Sequence, residues 1–478
     1  MAERRGVDYE QVGSDYMEKR QLQSGAAGWV LLAGLGVAYV ISGDFAGWNF
    51  GLAEGGWGGL LVATMLMALM YTCMVFGLAE LASALPVAGA GYGFARRALG
   101  PLGGMATGTA ILIEYAIAPA AIVVFIGGYV ESLDIFGITT GPLLYLVFYL
   151  VFVGIHLYGV GEALKVMFVI TAIAVVGLLA FVIGMVPKFD ASNLTNIAPE
   201  DGGSDFLPFG IGGILAAFVY GIWFFLAVEG VPLAAEETRD PKRDMPRGII
   251  AAMFILLAFA ALILFTAAGG GGADAIKESD NPLLDAILGG YGKENFLYDF
   301  VNYVGLAGLI ASFFSIIYAY SRQLFALSRA GYLPRFMSVT GGRKTPTLAL
   351  VIPGAIGFIL AAITEDGAIL INIAVFGATV SYVLMLVSHI VLRRREPDLE
   401  RPYRTPGGVV TTGIGLVLAI AAVIATFAVD NKAAGIAAGV FVALLAYFWF
   451  YSRHRLVADA PEEEFEAIER AEAELAGG

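Results

Sequence analysis

The chain has 478 residues, of which 58% are hydrophobic and 14% are charged, and its formal net charge is −13. A soluble protein of this size carries roughly 25% charged residues, so the composition excludes an ordinary soluble globular protein. A transmembrane β-barrel is also excluded, because apolar runs of about 20 residues recur in place of alternating segments of about ten.

The chain begins with a polar segment, residues 1–27, which we predict to be cytoplasmic. This segment contains no apolar core of the kind found in a signal peptide, so the first apolar span is expected to target the chain to the membrane. Farther along, the single cysteine, Cys73, lies in an apolar run. One cysteine excludes an intrachain disulfide.

Twelve apolar runs follow, each long enough for a helix that crosses the bilayer. The predicted fold class is an all-α polytopic membrane protein with twelve transmembrane helices. The spans are predicted at residues 28–52, 57–84, 101–130, 142–160, 163–187, 208–235, 247–269, 298–327, 346–364, 368–392, 408–429 and 434–452.

Lysine and arginine predict the orientation of these spans, because basic residues concentrate in cytoplasmic loops. If the N-terminus is cytoplasmic, all but four of the 28 basic residues lie on the cytoplasmic side. The four exceptions are Lys188, Lys277, Lys293 and Lys432. Both termini are therefore predicted to be cytoplasmic.

The end of the chain, residues 453–478, is an acidic tail. Its stretch PEEEFEAIERAEAEL predicts a short helix in the cytosol, which we interpret as a solvated appendage. Most of the net negative charge lies in this tail and in loops, so it mainly reflects solvated faces. The charge therefore does not by itself indicate a cationic partner, and no nucleic acid partner is predicted.

Two spans interrupt the apolar pattern in the same way. Span 1 contains ISGDFAG with Asp44, and span 6 contains FFLAVEGVP with Glu229, Gly230 and Pro232. Proline removes a backbone donor and glycine weakens a helix, so both places are predicted to unwind. Interrupted helices at matching places in two halves indicate an inverted-repeat secondary transporter.

The two breaks also predict how the chain is organised. Each is in the first helix of a five-span unit, residues 28–187 for spans 1–5 and residues 208–392 for spans 6–10. Spans 11 and 12, residues 408–452, lie outside this five-plus-five inverted repeat. Unwound backbone at this depth is tolerated only where it lines a cavity or is buried in protein.

A ladder of glycines accompanies the first break. Gly43, Gly47, Gly51 and Gly55 are spaced by four residues, so on a helix they would form one smooth stripe. Such stripes let neighbouring helices approach closely. We therefore interpret Gly47, Gly51 and Gly55 as packing positions and not as ligand contacts.

Ionisable residues inside spans are functional candidates, because each costs at least ~2.5–3.5 kcal/mol at the centre of a helix. The deep ones are Asp44, Glu114 and Glu229. Glu80 and Lys165 lie nearer the cytoplasmic ends, and we interpret both as structural. No lysine or arginine is predicted deep enough to neutralise the three acids, so they would bind a cation or hold protons.

Each deep acid also has a simpler interpretation. Asp44 and Glu229 would then cap exposed amides at the breaks, and Glu114 would accept hydrogen bonds from backbone that the breaks release. Aromatic rings occur at the same depth and could contact a cation, although most of them are interpreted as packing. These rings are Tyr39, Trp48, Tyr115, Tyr220, Trp223, Phe224 and Phe225, of which Trp223 is the candidate for substrate contact.

The sequence contains no metal-ligand cluster, phosphate loop or nucleophile–base pair, so no cofactor, metal or enzymatic activity is predicted. The glycine-rich GAGYGFARRALG lies in a predicted cytoplasmic loop. It does not follow a strand, which excludes a nucleotide site.

Three motifs carry a family resemblance: PVAGAGYGFARRALGPLGG, AAEETRDPKRDMPRGI and SRQLFALSRAGYLPRF. They resemble signatures of the amino acid–polyamine–organocation transporters. The stretches GAAGWVLLAGLGVAYVISGDFAGWNFGLAEGGWGG and GTAILIEYAIAPAAIVVFIGGYVESL are similar to the bacterial ethanolamine permease group. The resemblance implies a leucine-transporter-like fold with substrate between spans 1, 3, 6, 8 and 10.

The resemblance also assigns roles at the first break. Relatives that carry amino acids present backbone N–H groups to the substrate carboxylate from a Gly-Ser-Gly break, which corresponds here to Ser42, Gly43 and Asp44. A carboxylate substrate would meet a negative charge at Asp44, whereas ethanolamine has an ammonium and a hydroxyl but no carboxylate. Such a charge rejects amino acids. The ammonium is expected at carbonyls near Val40 and around Trp223 and Leu226.

Coupling is less well defined by the resemblance. Some relatives carry a lysine midway along span 5 in place of a sodium ion, and the aligned residue here is Ala174. Ser312 and Ser315 in span 8 could line a sodium site, although serines in membrane helices more often bond backbone. We expect proton coupling or facilitated exchange, with Glu114 as the proton candidate.

The resulting hypothesis is an importer of ethanolamine in the bacterial cytoplasmic membrane that works by alternating access. Spans 1, 2, 6 and 7 are expected to rock against the rest. One alternative is a carrier of amino acids, choline or other small amines. Another is an amine sensor that does not transport.

Overall fold

The computed structural model describes residues 7–10, 12, 14–20, 27–86, 89–134, 137–159, 161–341, 344–458, 460 and 463, without the side chains of residues 14, 161–165, 236 and 237. The α-helices are α1 (Ser14–Glu18), α2 (Trp29–Val40), α3 (Ser42–Phe45), α4 (Phe50–Ala84), α5 (Gly91–Leu99), α6 (Pro101–Glu131), α7 (Pro142–Tyr158), α8 (Gly161–Met185), α9 (Gly210–Trp223), α10 (Pro241–Gly271), α11 (Ala273–Ile276), α12 (Pro282–Tyr291), α13 (Phe296–Arg329), α14 (Thr347–Thr364), α15 (Gly367–Arg395), α16 (Val409–Val429) and α17 (Asn431–Phe450). Short 3₁₀ helices cover Val186–Lys188, Ala191–Thr195, Val228–Glu237, Arg335–Ser338 and Ser452–His454. The strands β1 (Tyr9–Glu10) and β2 (Leu456–Val457) pair in parallel.

The membrane class predicted from composition is confirmed. Among the described residues, ten helical segments are long and apolar enough to cross a bilayer, and α2 and α7 are shorter apolar helices. Helix α6 is buried along nearly its whole length, whereas α16 and α17 expose apolar side chains along one face. The count of twelve spans, which includes α2 and α7, and the inverted repeat stay predictions.

Span 1 unwinds where its glycines and Asp44 predicted. Helix α2 ends at Val40, and α3 continues only to Phe45. Ala46 is then extended, with φ −158° and ψ 160°, and Gly47 has φ 94°. The predicted gap between spans 1 and 2 is instead a kink inside α4, because Gly56 has φ 64° and ψ 178°.

A side chain from α13 enters the first break. The hydroxyl of Ser312 accepts a hydrogen bond from the Ser42 N–H at 3.0 Å and donates one to the Ala38 carbonyl at 2.7 Å. These two backbone groups would bond each other in a regular α-helix. The Ser312 hydroxyl therefore replaces one helical hydrogen bond and keeps both groups satisfied.

Span 6 also unwinds, slightly earlier than its Gly-Val-Pro sequence predicted. Helix α9 ends at Trp223, and Ala227 has the left-handed conformation with φ 78°. A 3₁₀ helix then runs over Val228–Glu237 and contains Pro232. A left-handed conformation is uncommon for alanine, so the surrounding packing must hold this turn in place.

The spacing of the glycine ladder predicted one helical stripe. The ladder does not form one, because Gly47 lies in the break. Its members nevertheless permit close packing against α9. A Cβ on Gly51 would lie 3.0 Å from the Cβ of Tyr220, and one on Gly55 would lie 2.7 Å from the Gly213 carbonyl oxygen. The ladder therefore packs along α9 even where the helix is broken.

The described segments nearest the two ends of the chain meet on one face, which we call the terminal face. Strand β1 pairs with β2 there. Glu463 is buried and forms an ion pair with Arg96, and it accepts hydrogen bonds from the Tyr332 and Tyr9 hydroxyls at 3.0 and 3.1 Å. The interpretation of the tail as solvated is therefore wrong for Glu463; the predicted tail helix otherwise lies outside the described residues.

Glu80 anchors the C-terminal end of α4. Its carboxylate, which is fully buried, accepts hydrogen bonds from Arg393 Nε at 2.7 Å and from the Thr405 N–H at 2.7 Å. Arg401 Nε lies 3.0 Å from it, and His389 Nε2 lies 3.3 Å from it. This cluster ties α4 to α15 and to the segment before α16, in agreement with the structural role predicted for Glu80.

We expect Glu80→Gln to lower the free energy of unfolding by about 3–5 kcal/mol, because it leaves two arginines without their buried partner. The matched control is Glu400→Gln, which removes the partner of Lys242 from a pair whose side chains are 53% and 79% exposed. Exposed pairs contribute about 0–1 kcal/mol. Thermal unfolding in detergent measures both; equal effects of the two variants would contradict the anchoring role.

Candidate functional site

The two breaks contact each other directly. The indole N–H of Trp223, at the end of α9, donates a hydrogen bond to the Ala46 carbonyl at 2.9 Å. A Cβ on Gly43 would overlap the Trp223 carbonyl oxygen, so only glycine allows this approach. The rings of Trp48 and Phe224 stack with centroids 5.5 Å apart. The Trp223 hydrogen bond and the Trp48–Phe224 stack therefore join the two breaks.

Asp44 lies in α3, the short helical turn within the first break. Its side chain is fully buried, and neither carboxylate oxygen has a hydrogen-bond partner among the described residues. None of the ion pairs in the described part of the chain involves Asp44. The interpretation of Asp44 as a helix cap is therefore wrong, since a cap accepts bonds from backbone amides.

Glu114 and Glu229 form a second group, which we call the carboxylate pair. Glu229 Oε1 accepts a hydrogen bond from the Tyr115 hydroxyl at 2.9 Å. The Tyr382 hydroxyl lies 3.1 Å from Glu229 and 3.4 Å from Glu114, so its single proton serves one acid at a time. Tyr71 completes the group, with its hydroxyl 2.8 Å from that of Tyr382.

The carboxylate pair spans four elements of the fold. Glu114 and Tyr115 come from α6, Glu229 from the 3₁₀ helix after the second break, Tyr71 from α4 and Tyr382 from α15. The Tyr382 hydroxyl lies between the two carboxyl groups, 3.1 Å from Glu229 and 3.4 Å from Glu114. Glu229 accepts hydrogen bonds from the Tyr115 and Tyr382 hydroxyls. This role differs from the predicted alternative, in which Glu229 caps exposed backbone amides at the break.

The predicted site residues thus fall into two neighbouring sets. Ser42, Gly43, Asp44 and Trp223 lie at the contact between the breaks, with Leu226 buried in the second break. Glu114, Tyr115 and Glu229 lie in the carboxylate pair. Sequence reasoning missed Tyr71 and Tyr382, because a tyrosine in a span has no spacing or motif that separates a hydrogen-bond donor from a packing ring.

The sodium-site candidates have different surroundings. The Ser312 hydroxyl is occupied by the backbone of span 1, whereas the Ser315 hydroxyl has no hydrogen-bond partner in the described part of the chain. Ala174 lies against α13, 3.1 Å from where a Cβ on Gly308 would be. The side chain of Lys165 lies outside the described residues. Groups of three or more His, Cys, Asp or Glu suited to a metal are absent from the residues that are described.

Asn49 connects the first break to the loop between α10 and α13. Its amide nitrogen donates to the carbonyls of Ile276 and Ser279 at 2.7 and 2.8 Å. Its oxygen accepts from the Gly47 N–H at 3.1 Å. Asn49 thereby ties the first break to α11 and to the segment between α11 and α12.

Comparison with known proteins identifies the family. The sequence profile of the amino acid permease family matches residues 30–458. The chain belongs to the amino acid permease family. An uncharacterized transporter of Rhizobium meliloti is 29% identical to this permease, over 88% of this permease and 90% of the relative.

Two relatives with named substrates are more distant. The branched-chain amino acid permease BcaP of Bacillus subtilis is 26% identical, over 76% of this permease and 79% of the relative. The methylthioribose transporter of Bacillus subtilis is 24% identical, over 77% of this permease and 79% of the relative. Substrate therefore varies among similar proteins, and the residues of the site have to indicate it.

Proposed function

We propose that this permease is a secondary transporter that imports a small organic cation without a carboxylate, and that the cation is ethanolamine. The observation that supports the proposal is the buried Asp44 carboxylate, which has no hydrogen-bond partner in the described part of the chain. A buried charge without a partner is costly. An ammonium group that binds beside it offsets that cost with a charge-assisted hydrogen bond.

The same carboxylate disfavours amino acids. Two like charges about 4 Å apart repel by about 4 kcal/mol at the dielectric constant typical near a protein surface, and more in a dry site. The substrate carboxylate of an amino acid would approach the first break, where Ser42 and Gly43 supply backbone but Asp44 supplies negative charge. Ethanolamine presents only an ammonium and a hydroxyl, so it avoids this repulsion.

In the proposal the ligand binds between the breaks, and the carboxylate pair carries the coupling proton. The side chains of Asp44, Glu114, Glu229 and Trp223 are at most 3% exposed, so the site is closed on both sides. Alternating access would open it by moving the broken helices against α6, α13 and α15. Glu114 is the proposed proton carrier, because it shares the Tyr382 hydroxyl with Glu229 and two neighbouring buried acids favour a proton on one of them.

The proposed location is the bacterial cytoplasmic membrane, with the terminal face in the cytosol. The distribution of lysine and arginine supports this orientation. It places the helices α11 and α12 on the outer side, where Asn49 ties α11 to the first break.

A second candidate is a neutral amino acid, which the branched-chain substrate in the name of one relative favours. In that case the carboxylate pair would have to contact the amino group of the substrate, and the substrate carboxylate would have to bind near Asp44 despite the repulsion. A choline carrier is disfavoured, since choline has no N–H donor for Asp44 and depends on aromatic faces.

Uptake of radiolabelled ethanolamine into proteoliposomes, with imposed proton or sodium gradients, tests the proposal. We expect accumulation that unlabelled ethanolamine abolishes and that equal concentrations of alanine, leucine and choline reduce by less than about half. Stronger competition by leucine than by ethanolamine would establish the second candidate. Binding without accumulation would indicate a sensor and contradict transport.

A further inference from the structure

A cavity of about 450 Å³ opens on the terminal face, away from the site between the breaks. It lies between the start of α2, the first turns of α10 and the segment that precedes α16. The residues that line it are Trp29, Pro246, Arg247, Ile250, Ala251 and Tyr403. We call it the terminal-face cavity.

The lining combines one cation with apolar and aromatic groups. The guanidinium of Arg247 is exposed, and no ion pair joins it to a carboxylate whose side chain the structure describes. Trp29 is 43% exposed. Ile250 is half-buried, and Phe254, one turn farther along α10, is 57% exposed. The apolar floor therefore continues from the cavity onto the outer surface of α10.

The rim of the cavity is held in place. Tyr403 lies between Arg401 and Thr405, both of which contact the buried Glu80 carboxylate, at 3.0 and 2.7 Å. The Tyr403 N–H also donates to the Ser83 hydroxyl at 3.3 Å. The Glu80 cluster thus positions one wall of the cavity, and Gly248 sets the other, because a Cβ there would lie 2.6 Å from Leu32 on α2.

This set of groups matches a phospholipid. Tryptophan and tyrosine are enriched at membrane–water interfaces, where one end of the ring is apolar and the other is wet. Basic pockets between transmembrane helices bind anionic head groups on the cytoplasmic side. The stretch PKRDMPRG that opens α10 carries three basic residues and one acidic residue, Asp244, and this net positive charge favours a negatively charged head group.

We propose that the terminal-face cavity binds an anionic phospholipid, with its phosphate on Arg247 and one acyl chain along Ile250 and Phe254. The bound lipid contacts both α2 and α10. These helices lead into the first break and away from the second break, so the lipid joins the two segments that meet at the substrate site. The proposal does not depend on which substrate the permease carries.

Quenching of tryptophan fluorescence by brominated lipids tests the proposal on the full-length protein in vesicles. Trp29 is the reporter, and its signal is the difference between the parent and Trp29→Phe, which removes the contribution of the other four tryptophans. We expect brominated phosphatidylglycerol to bind about fivefold more strongly than brominated phosphatidylcholine, as one basic contact near the surface provides. Equal quenching of Trp29 by the two lipids would overturn the proposal.

Two charge-matched variants locate the effect. Arg247→Gln is expected to abolish the preference for phosphatidylglycerol, so that the two lipids bind about equally. Arg243→Gln, one turn away and outside the lining, should retain the preference. Similar losses in both variants would mean general surface attraction and would contradict a site. Quenching by phosphatidylcholine, unchanged in each variant, verifies that the protein is folded and inserted.

A last comparison separates a lipid from free phosphate. Inorganic phosphate is expected to leave the phosphatidylglycerol preference unaltered relative to chloride of equal ionic strength, because it lacks the acyl chain that Ile250 and Phe254 contact. Displacement of the lipid by phosphate at that ionic strength would identify an anion pocket and overturn the assignment to phospholipid.

Discussion

Asp44→Asn is expected to reduce ethanolamine uptake about 30-fold or more, because loss of one partner from a buried charge pair costs 2–5 kcal/mol. The substitution keeps the size of the side chain and removes its charge. It also removes the repulsion of carboxylates, so competition by alanine and leucine should increase. Radiolabelled uptake and competition in proteoliposomes measure both effects.

A structural cause for that loss can be separated from a binding cause. The Asp44 carboxylate has no hydrogen-bond partner among the described residues, so neutralising it should leave thermal stability unchanged or raise it. Asp205→Asn, at an exposed position, is the matched control and should transport normally. If Asp44→Asn transports ethanolamine with unchanged affinity and selectivity, Asp44 does not contact the substrate.

The second large effect concerns pH. We expect Glu114→Gln to flatten the pH dependence of ethanolamine uptake while it changes binding affinity less than threefold. Glutamine retains the contact with Tyr382 but cannot exchange a proton with Glu229, so a transport cycle that moves a proton through the carboxylate pair would lose its response to pH. The pH profiles of uptake and of equilibrium binding, measured in parallel, separate the two effects.

Glu131→Gln is the control on the same helix, because Glu131 is exposed at the end of α6, where its carboxylate accepts a hydrogen bond from the Thr140 N–H at 3.2 Å. It should retain the parent pH profile. An unchanged profile in Glu114→Gln would exclude Glu114 as the proton carrier. A parallel loss of binding and uptake would place Glu114 in substrate contact instead.

Much of the architecture was predictable because its causes are local. Apolar runs of about 20 residues require helices, since backbone groups in a bilayer must be satisfied within the segment. Glycines near Asp44, and the glycine and proline after Glu229, weaken helices wherever they occur, so both breaks were predictable. The position of the second break, at Ala227, was not, because packing and not propensity holds alanine in a left-handed conformation.

The sequence by itself determined that this protein spans the membrane, that two of its helices break and which three acids lie deep. Only the tertiary structure decided that Glu114 and Glu229 share the Tyr382 hydroxyl while Asp44 stays apart, and that Glu463 is buried against Arg96. The physical reason is that hydropathy and helix propensity act along the chain within a few residues. Partners of buried charges come from elements more than a hundred residues apart, and only packing brings these together.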